Sequence, residues 1–185
     1  MDMQLMEGCV LSEAQMLENL NALAEIYAHL ELEAAVIPAG AELPVPALAA
    51  VLEQDERNRN RIVTNSFLPL DREDAEYTKF LQFYMELEND LSGLDRGQLL
   101  ELLQWVNGRI PVGGCMLQAQ TADSPARLAV RMAQGFCLTK PIDAGVFTEE
   151  LFLFDRICDM VSGIFDRMAD GYSAEQIIRE LEAED

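Results

Sequence analysis

Ile62-Val63-Thr64-Asn65-Ser66-Phe67-Leu68, the charged run Asp71-Arg72-Glu73-Asp74-Ala75-Glu76, and the apolar stretch from Tyr77 to Leu87 together decide the fold of this chain. The first segment is rich in β-branched residues and is expected to be a strand. The last carries Phe80, Leu81, Phe83, Tyr84, Met85 and Leu87, and its periodicity alone also fits a buried helix. Aromatic enrichment and chain order favour a central strand. Strands that follow one another in runs, rather than alternating with helices, predict a mostly antiparallel sheet.

Toward the N-terminus, Gln54 to Asn60 is a solvated turn and Leu48 to Glu53 a further strand. Ala34-Ala35-Val36-Ile37 runs into Pro38, with Pro44 and Pro46 close behind, so any strand there is short and irregular. Ser12-Glu13-Ala14-Gln15 has the form of a capping box. Leu17, Leu20, Leu23, Ala24, Tyr27 and Leu30 then recur at helical spacing, which predicts a first helix over roughly 13–31.

Toward the C-terminus, Asp95 with Gln98 offers a second cap, and Leu99, Leu102, Leu103 and Val106 a short helix. That helix is expected to stop at Asn107-Gly108 in a left-handed turn. Pro111-Val112-Gly113-Gly114 is a turn, Cys115 to Gln120 a strand, Thr121 to Pro125 a hairpin turn, and Arg127 to Leu138 the returning strand. In that last strand Leu128, Val130 and Met132 would share one face and Arg127, Ala129 and Arg131 the other.

A long helix is expected from Phe147 or Thr148 to Gly171. Phe147, Leu151, Phe154, Cys158, Val161, Phe165 and Met168 form one apolar line along it. Leu153, Ile157, Met160 and Ile164 form a second line beside the first. Two lines exceed the stripe about 100° wide that a helix needs to lie on a sheet, which predicts deep burial or contact with another chain. Ser173 with Gln176 caps a short final helix, and an acidic tail closes the chain from about residue 172. The 185 residues are expected to form a single α+β domain, a mostly antiparallel sheet with helices packed on it.

Composition narrows the functional classes. Lys and Arg total 13 against 33 Asp and Glu, a formal charge of −20. Such a field repels nucleic-acid phosphates and anionic membranes and attracts basic partners. No apolar run approaches the ~20 residues of a bilayer span. Met1 to Glu7 is acidic where a signal peptide would be basic, so a cytoplasmic location is expected. Cys9, Cys115, Cys137 and Cys158 lack Cys-x-x-Cys spacing and are expected to be small core residues.

No constellation of catalytic groups emerges. His29 is the single histidine, and no nucleophile falls beside it. Zinc-type spacing and calcium loops are absent, and Gly113-Gly114 lacks the Lys-Ser/Thr that ends a phosphate loop. The chain is therefore read as non-catalytic, with no cofactor and no metal. Arg57, Arg59 and Arg61 fall at alternate positions and share a face, which suits neutralisation of the protein's own acidic surface.

Leu99 to Gly113, with Asn107, Arg109, Pro111 and Gly113 after a leucine-rich helix and before a strand pair, resembles the YbjN family. Gln104 stands where that family often has a second Asn. The family is similar in fold to class I type III secretion chaperones. The resemblance implies the order α-β-β-β-α-β-β-α, a homodimer, and binding of a protein client. It implies no catalytic residue. The expected function is a protein-interaction or chaperone-like adaptor, with Leu153, Ile157, Met160, Ile164 and Trp105 as candidate contacts. The competing readings are an export chaperone for a secreted client, a small-ligand binder, and a carboxylate-dependent enzyme.

Overall fold

The computed structural model describes residues 10–41, 43–118 and 126–184. Its elements in chain order are α1 (Glu13–His29), β1 (Ala34–Ile37), β2 (Ala47–Leu52), β3 (Arg61–Phe67), β4 (Thr78–Leu87), α2 (Arg96–Asn107), β5 (Gly114–Gln118), β6 (Arg127–Cys137), α3 (Ala144–Ala169) and α4 (Ala174–Glu184). The strands form one six-stranded sheet in the order β1-β2-β3-β4-β6-β5, with every neighbouring pair antiparallel. The α+β class and the antiparallel sheet expected from the sequence are both present.

The aromatic stretch ending at Leu87 is the central strand its composition suggested. β4 alternates half-buried and buried along its whole length, and it pairs with β6 from Thr78↔Cys137 to Leu87↔Leu128. The stretch before Pro38 is more regular than the prolines implied. β1 pairs with β2 in register from Ala34↔Ala50 to Ile37↔Ala47, so four strands precede α2. The prolines follow the strand and take no position within it.

The helix caps are as the sequence indicated. Ser12 and Gln15 form a reciprocal capping box, and Asp95 accepts from the Gln98 amide at 2.9 Å. Ser173 and Gln176 repeat the reciprocal arrangement before α4. Two helix boundaries and one cap conformation differ. α1 ends at His29, because Glu31 turns the chain at φ 61°. α3 begins at Ala144, since the Asp143 side chain accepts from Val146 N at 3.0 Å and adds a turn before Phe147. Gly108 caps α2 in the right-handed region at φ −71°, and the left-handed residue of that connection is Gly113, at φ +81°. A Cβ on Gly113 would fall 2.4 Å from Arg131 O, so only glycine brings the chain onto β6 there. The expected short final helix is α4, which runs to Glu184; Asp185, the end of the acidic tail, lies outside the described residues.

α1 covers β1 to β3, α3 lies on β4 and β6, and α2 packs on β5 and α4. One continuous cluster of buried residues runs from Val10 to Ile177. At its centre Phe147 of α3 meets Tyr27 of α1 edge-on at 5.4 Å and Phe83 of β4 at 5.7 Å. Each of these fully buried aromatics contributes roughly 2–3 kcal/mol of apolar transfer. The Tyr27 hydroxyl donates to Asn65 Oδ1 at 2.6 Å, which ties α1 to β3 inside the core. Cys115 and Cys158 are core residues, as expected. Cys137 is exposed, because it shares the strand parity of Arg127 and Arg131. Cys9, the N-terminal run, Ala119, Gln120 and the expected turn at Thr121 to Pro125 lie outside the described residues.

Candidate protein-interaction surface

The second apolar line of α3 divides. Ile157 and Ile164 are 4% and 9% exposed and belong to the core, whereas Met160 is 38% exposed and Leu153 half-buried. Most of the surplus is thus covered by the chain itself. Phe152, a residue the sequence reading passed over, is the most exposed apolar group of this helix. Trp105 is half-buried and engaged internally. Arg109 stacks over its ring at 3.7 Å, and its Nε1 donates to Glu182 of α4 at 3.1 Å. Glu182 also pairs with Arg109 at 3.2 Å, so this trio pins α4 to α2.

The alternating arginines all meet acidic groups of α3 or its C-cap, Arg59 and Arg61 largely enclosed and Arg57 still exposed. Arg59 binds Asp55 at 2.6 Å and Asp166 at 2.7 Å, and donates to Ser162 at 2.8 Å. Arg57 reaches Asp166 at 3.1 Å and Asp170 at 2.6 Å. Arg61 sits 2.7 Å from Asp155 and 3.0 Å from Asp159. Buried Asn89 donates to Asp166 at 2.6 Å. This clamp fastens the β2–β3 hairpin to the helix. The Asp positions 155, 159, 166 and 170 recur on one side of α3, a sequence signal that matched the arginines at alternate positions. Burial alone would raise the Asp55 carboxyl, but bonds from the Arg59 and Arg57 backbone and the Arg59 guanidinium hold it below its ordinary value. Asp155 moves the other way, raised by burial despite Arg61.

The helices occupy one face of the sheet. Val63, Asn65 and Phe67 point to that face, and Asn65 contacts α1 there. The opposite parity, Ile62, Thr64 and Ser66, turns away from the helices. Val51 is paired with Ile62, and Ile37 with Ala47 on the same side. Ile37, Val51 and Ile62 are 38%, 47% and 50% exposed, so the β1–β3 part of this face presents bare apolar side chains. Farther along, the face is polar and its groups bind one another. Arg127 donates to Glu86 at 2.7 Å, Tyr84 to Glu86 at 3.1 Å, and Gln118 to Tyr84 at 2.5 Å. Arg127 holds the Glu86 carboxyl low, and burial beside Glu86 pushes the Tyr84 hydroxyl up to about 12. Tyr84, Glu86 and Arg127, bonded in this way, line a shallow groove of about 580 Å³ together with Ile62 and Thr64.

The two edges of the sheet differ. At β5, Asn107 lies alongside the strand; its amide donates to Cys115 O at 2.9 Å and accepts from Cys115 N at 2.7 Å. A side-chain amide thereby takes the place of a neighbouring strand. At β1, residues Ala34 to Ile37 are half-buried and exposed in alternation, with no charged residue among them.

Charge is distributed as unevenly. Residues 1–56 contain eleven Asp and Glu and no Lys or Arg. Among the described residues, ion pairs engage seven basic and nine acidic side chains, of 13 and 33 in the whole chain. The ion pairs among the described residues thus engage over half of the chain's cations but about a quarter of its anions. His29, at the end of α1, is exposed and bonded through Nδ1 to Glu25 O at 2.6 Å. Among the described residues no three His, Cys, Asp or Glu side chains converge as a metal site, and no helix is long and apolar enough to cross a membrane.

No family model matches the chain. No curated protein matches it in sequence. Among solved structures, it is similar to crystalline YbjN from E. coli, named as a candidate transcription regulator, with a TM-score of 0.46 and 13% identity over 83% of this chain and 94% of that one.

Proposed function

We propose that this chain is a non-catalytic protein-interaction module, adaptor or chaperone-like, that docks a partner on the β1–β3 side of its sheet. The observation that carries this reading is the one-sided sheet: helices cover one face, while Ile37, Val51 and Ile62 stand bare on the other. A half-naked antiparallel sheet is ordinary when its outer face is polar; here polar groups reach from β4, β5 and β6 to Thr64 and Ser66 of β3, and beyond them Ile37, Val51 and Ile62 are apolar. The surrounding acidity steers basic partners toward the surface and disfavours nucleic acid.

The test is site-specific photo-cross-linking in the native cell, with a benzophenone amino acid placed at Ile62 or at Phe152. A discrete heterologous adduct from position 62 and none from 152 is expected. Adducts from 152 alone would move the surface to α3, and the absence of any adduct from either position would remove the interaction reading.

A further inference from the structure

We propose that the outer edge of β1 accepts a short, extended, basic segment of a partner protein as a seventh strand. This rests on the interaction reading above and names the partner class and the place.

The hydrogen-bond phase of the β1–β2 ladder leaves the edge open. Val51 N donates to Glu33 O at 2.9 Å, just before the register Ala34↔Ala50 and Ala35↔Ala49 begins. In an antiparallel pair the bonded positions alternate, so Glu33, Ala35 and Ile37 face β2. Ala34 and Val36 consequently direct their N–H and C=O groups outward. Among the described residues no turn, loop or side-chain bond engages either of them. At the other edge the equivalent groups, those of Cys115, are filled by Asn107.

Natural edges are commonly protected by charge, proline, a bulge or a cover. β1 has no charge, and its proline comes only after the strand, at Pro38. Its one protection is brevity. Four residues span about 13 Å at the rise of an extended strand. A segment of similar length would complete the ladder, a mode in which main-chain bonds supply affinity and alternate side chains supply selectivity. One set of its side chains would lie beside Ala34 and Val36 on the helix face, the other beside Ile37 on the open face. Apolar residues suit both. Charge sets the remaining positions. Glu31 and Glu33 lead into the strand, no basic residue precedes Arg57, and the arginines that follow are consumed by the clamp on α3. The surroundings therefore select lysine or arginine in the incoming segment.

Amide exchange and chemical shifts of the whole chain, followed during titration with a blocked peptide of alternating Val and Lys, test this directly. Expected are slowed exchange at the Ala34 and Val36 amides, no such effect with the matching Val–Glu peptide, and about tenfold weaker binding to Ala34→Pro, which removes one outward donor at a strand's first residue. Equal binding of the Glu peptide, or shifts centred on Val51 and Ile62 with unchanged exchange at Val36, would overturn the edge site. The second of those results would leave the face-docking reading standing. Protection of Ala34 and Val36 that rises with protein concentration, without peptide, would assign the edge to a second copy and also overturn the proposal. Because the exchange readout uses the unaltered chain, it stands even if Ala34→Pro fails to fold.

Discussion

At β5 the outward main-chain groups of Cys115 are taken up by a side chain of the same protein; at β1 no side chain among the described residues does this for Ala34 or Val36. The two halves also differ in what fastens them. The β2–β3 hairpin is held by charges, Arg57, Arg59 and Arg61 against α3, while the β5 half is held by Asn107, by the close approach of Gly113 to Arg131, and by α2 with Trp105 and Arg109. Both devices give local rigidity. Only the amide also removes a template for strand addition, which teaches that stiffness and protection of an edge are separate properties.

The largest expected effect comes from breaking the charged clamp. Arg59→Leu takes the guanidinium from Asp55 and one of three partners from Asp166, which keeps Arg57 and Asn89, so a loss of about 1.5–3 kcal/mol is expected. Urea unfolding measures it, and a loss below about 1 kcal/mol would place the clamp among ordinary surface pairs. Asn107→Leu is the matching experiment at β5. Two main-chain groups of Cys115 lose their partner, at about 2 kcal/mol. This variant should also self-associate in light scattering, since it opens the second edge. Destabilisation without association would break the comparison between the edges.

Acid gives a smaller effect that distinguishes the halves. A carboxyl lowered in the fold contributes stability above its unfolded value, lost as pH falls through the lower folded value. Asp55 in the clamp and Glu86 beside Arg127 both act in that sense. Asp155 acts oppositely, because its raised value favours the protonated fold as pH drops. Carboxyl NMR titration should therefore place Asp55 and Glu86 below, and Asp155 above, the ordinary range of about 4. Acid should therefore weaken the fold through Asp55 and Glu86 and not through Asp155. The smallest effect is Gly163→Ala. A Cβ there meets nothing within 4 Å, so the helix should gain about 0.5–1 kcal/mol. Unchanged cross-linking from Ile62 in this variant would confirm that the α3 side is not the docking side.

Much of the fold was legible in the residues. Ser12-Gln15, Asp95-Gln98 and Ser173-Gln176 named three helix starts, because a cap is a local bond between residues three apart. Phe80 to Leu87 named a strand through composition. Asp143 was missed as a cap because nothing local to it announced a helix before the apolar line of Phe147 began. The candidate site was less legible. The surplus apolar line on α3 suggested an external partner, yet Ile157 and Ile164 are covered within the chain, and Trp105 is taken up by Arg109 and Glu182.

By itself the sequence determined most of the elements, their antiparallel character, the acidic field and the neutralising role of the three arginines. These depend on periodicity, short-range bonds and net charge, which are properties of neighbours along the chain. Only the tertiary structure decided which apolar surplus stays exposed and which edge stays open. Both are differences between what the chain offers and what distant parts of it cover, and Cys115 can be reached by Asn107 only once α2 and β5 have been folded side by side.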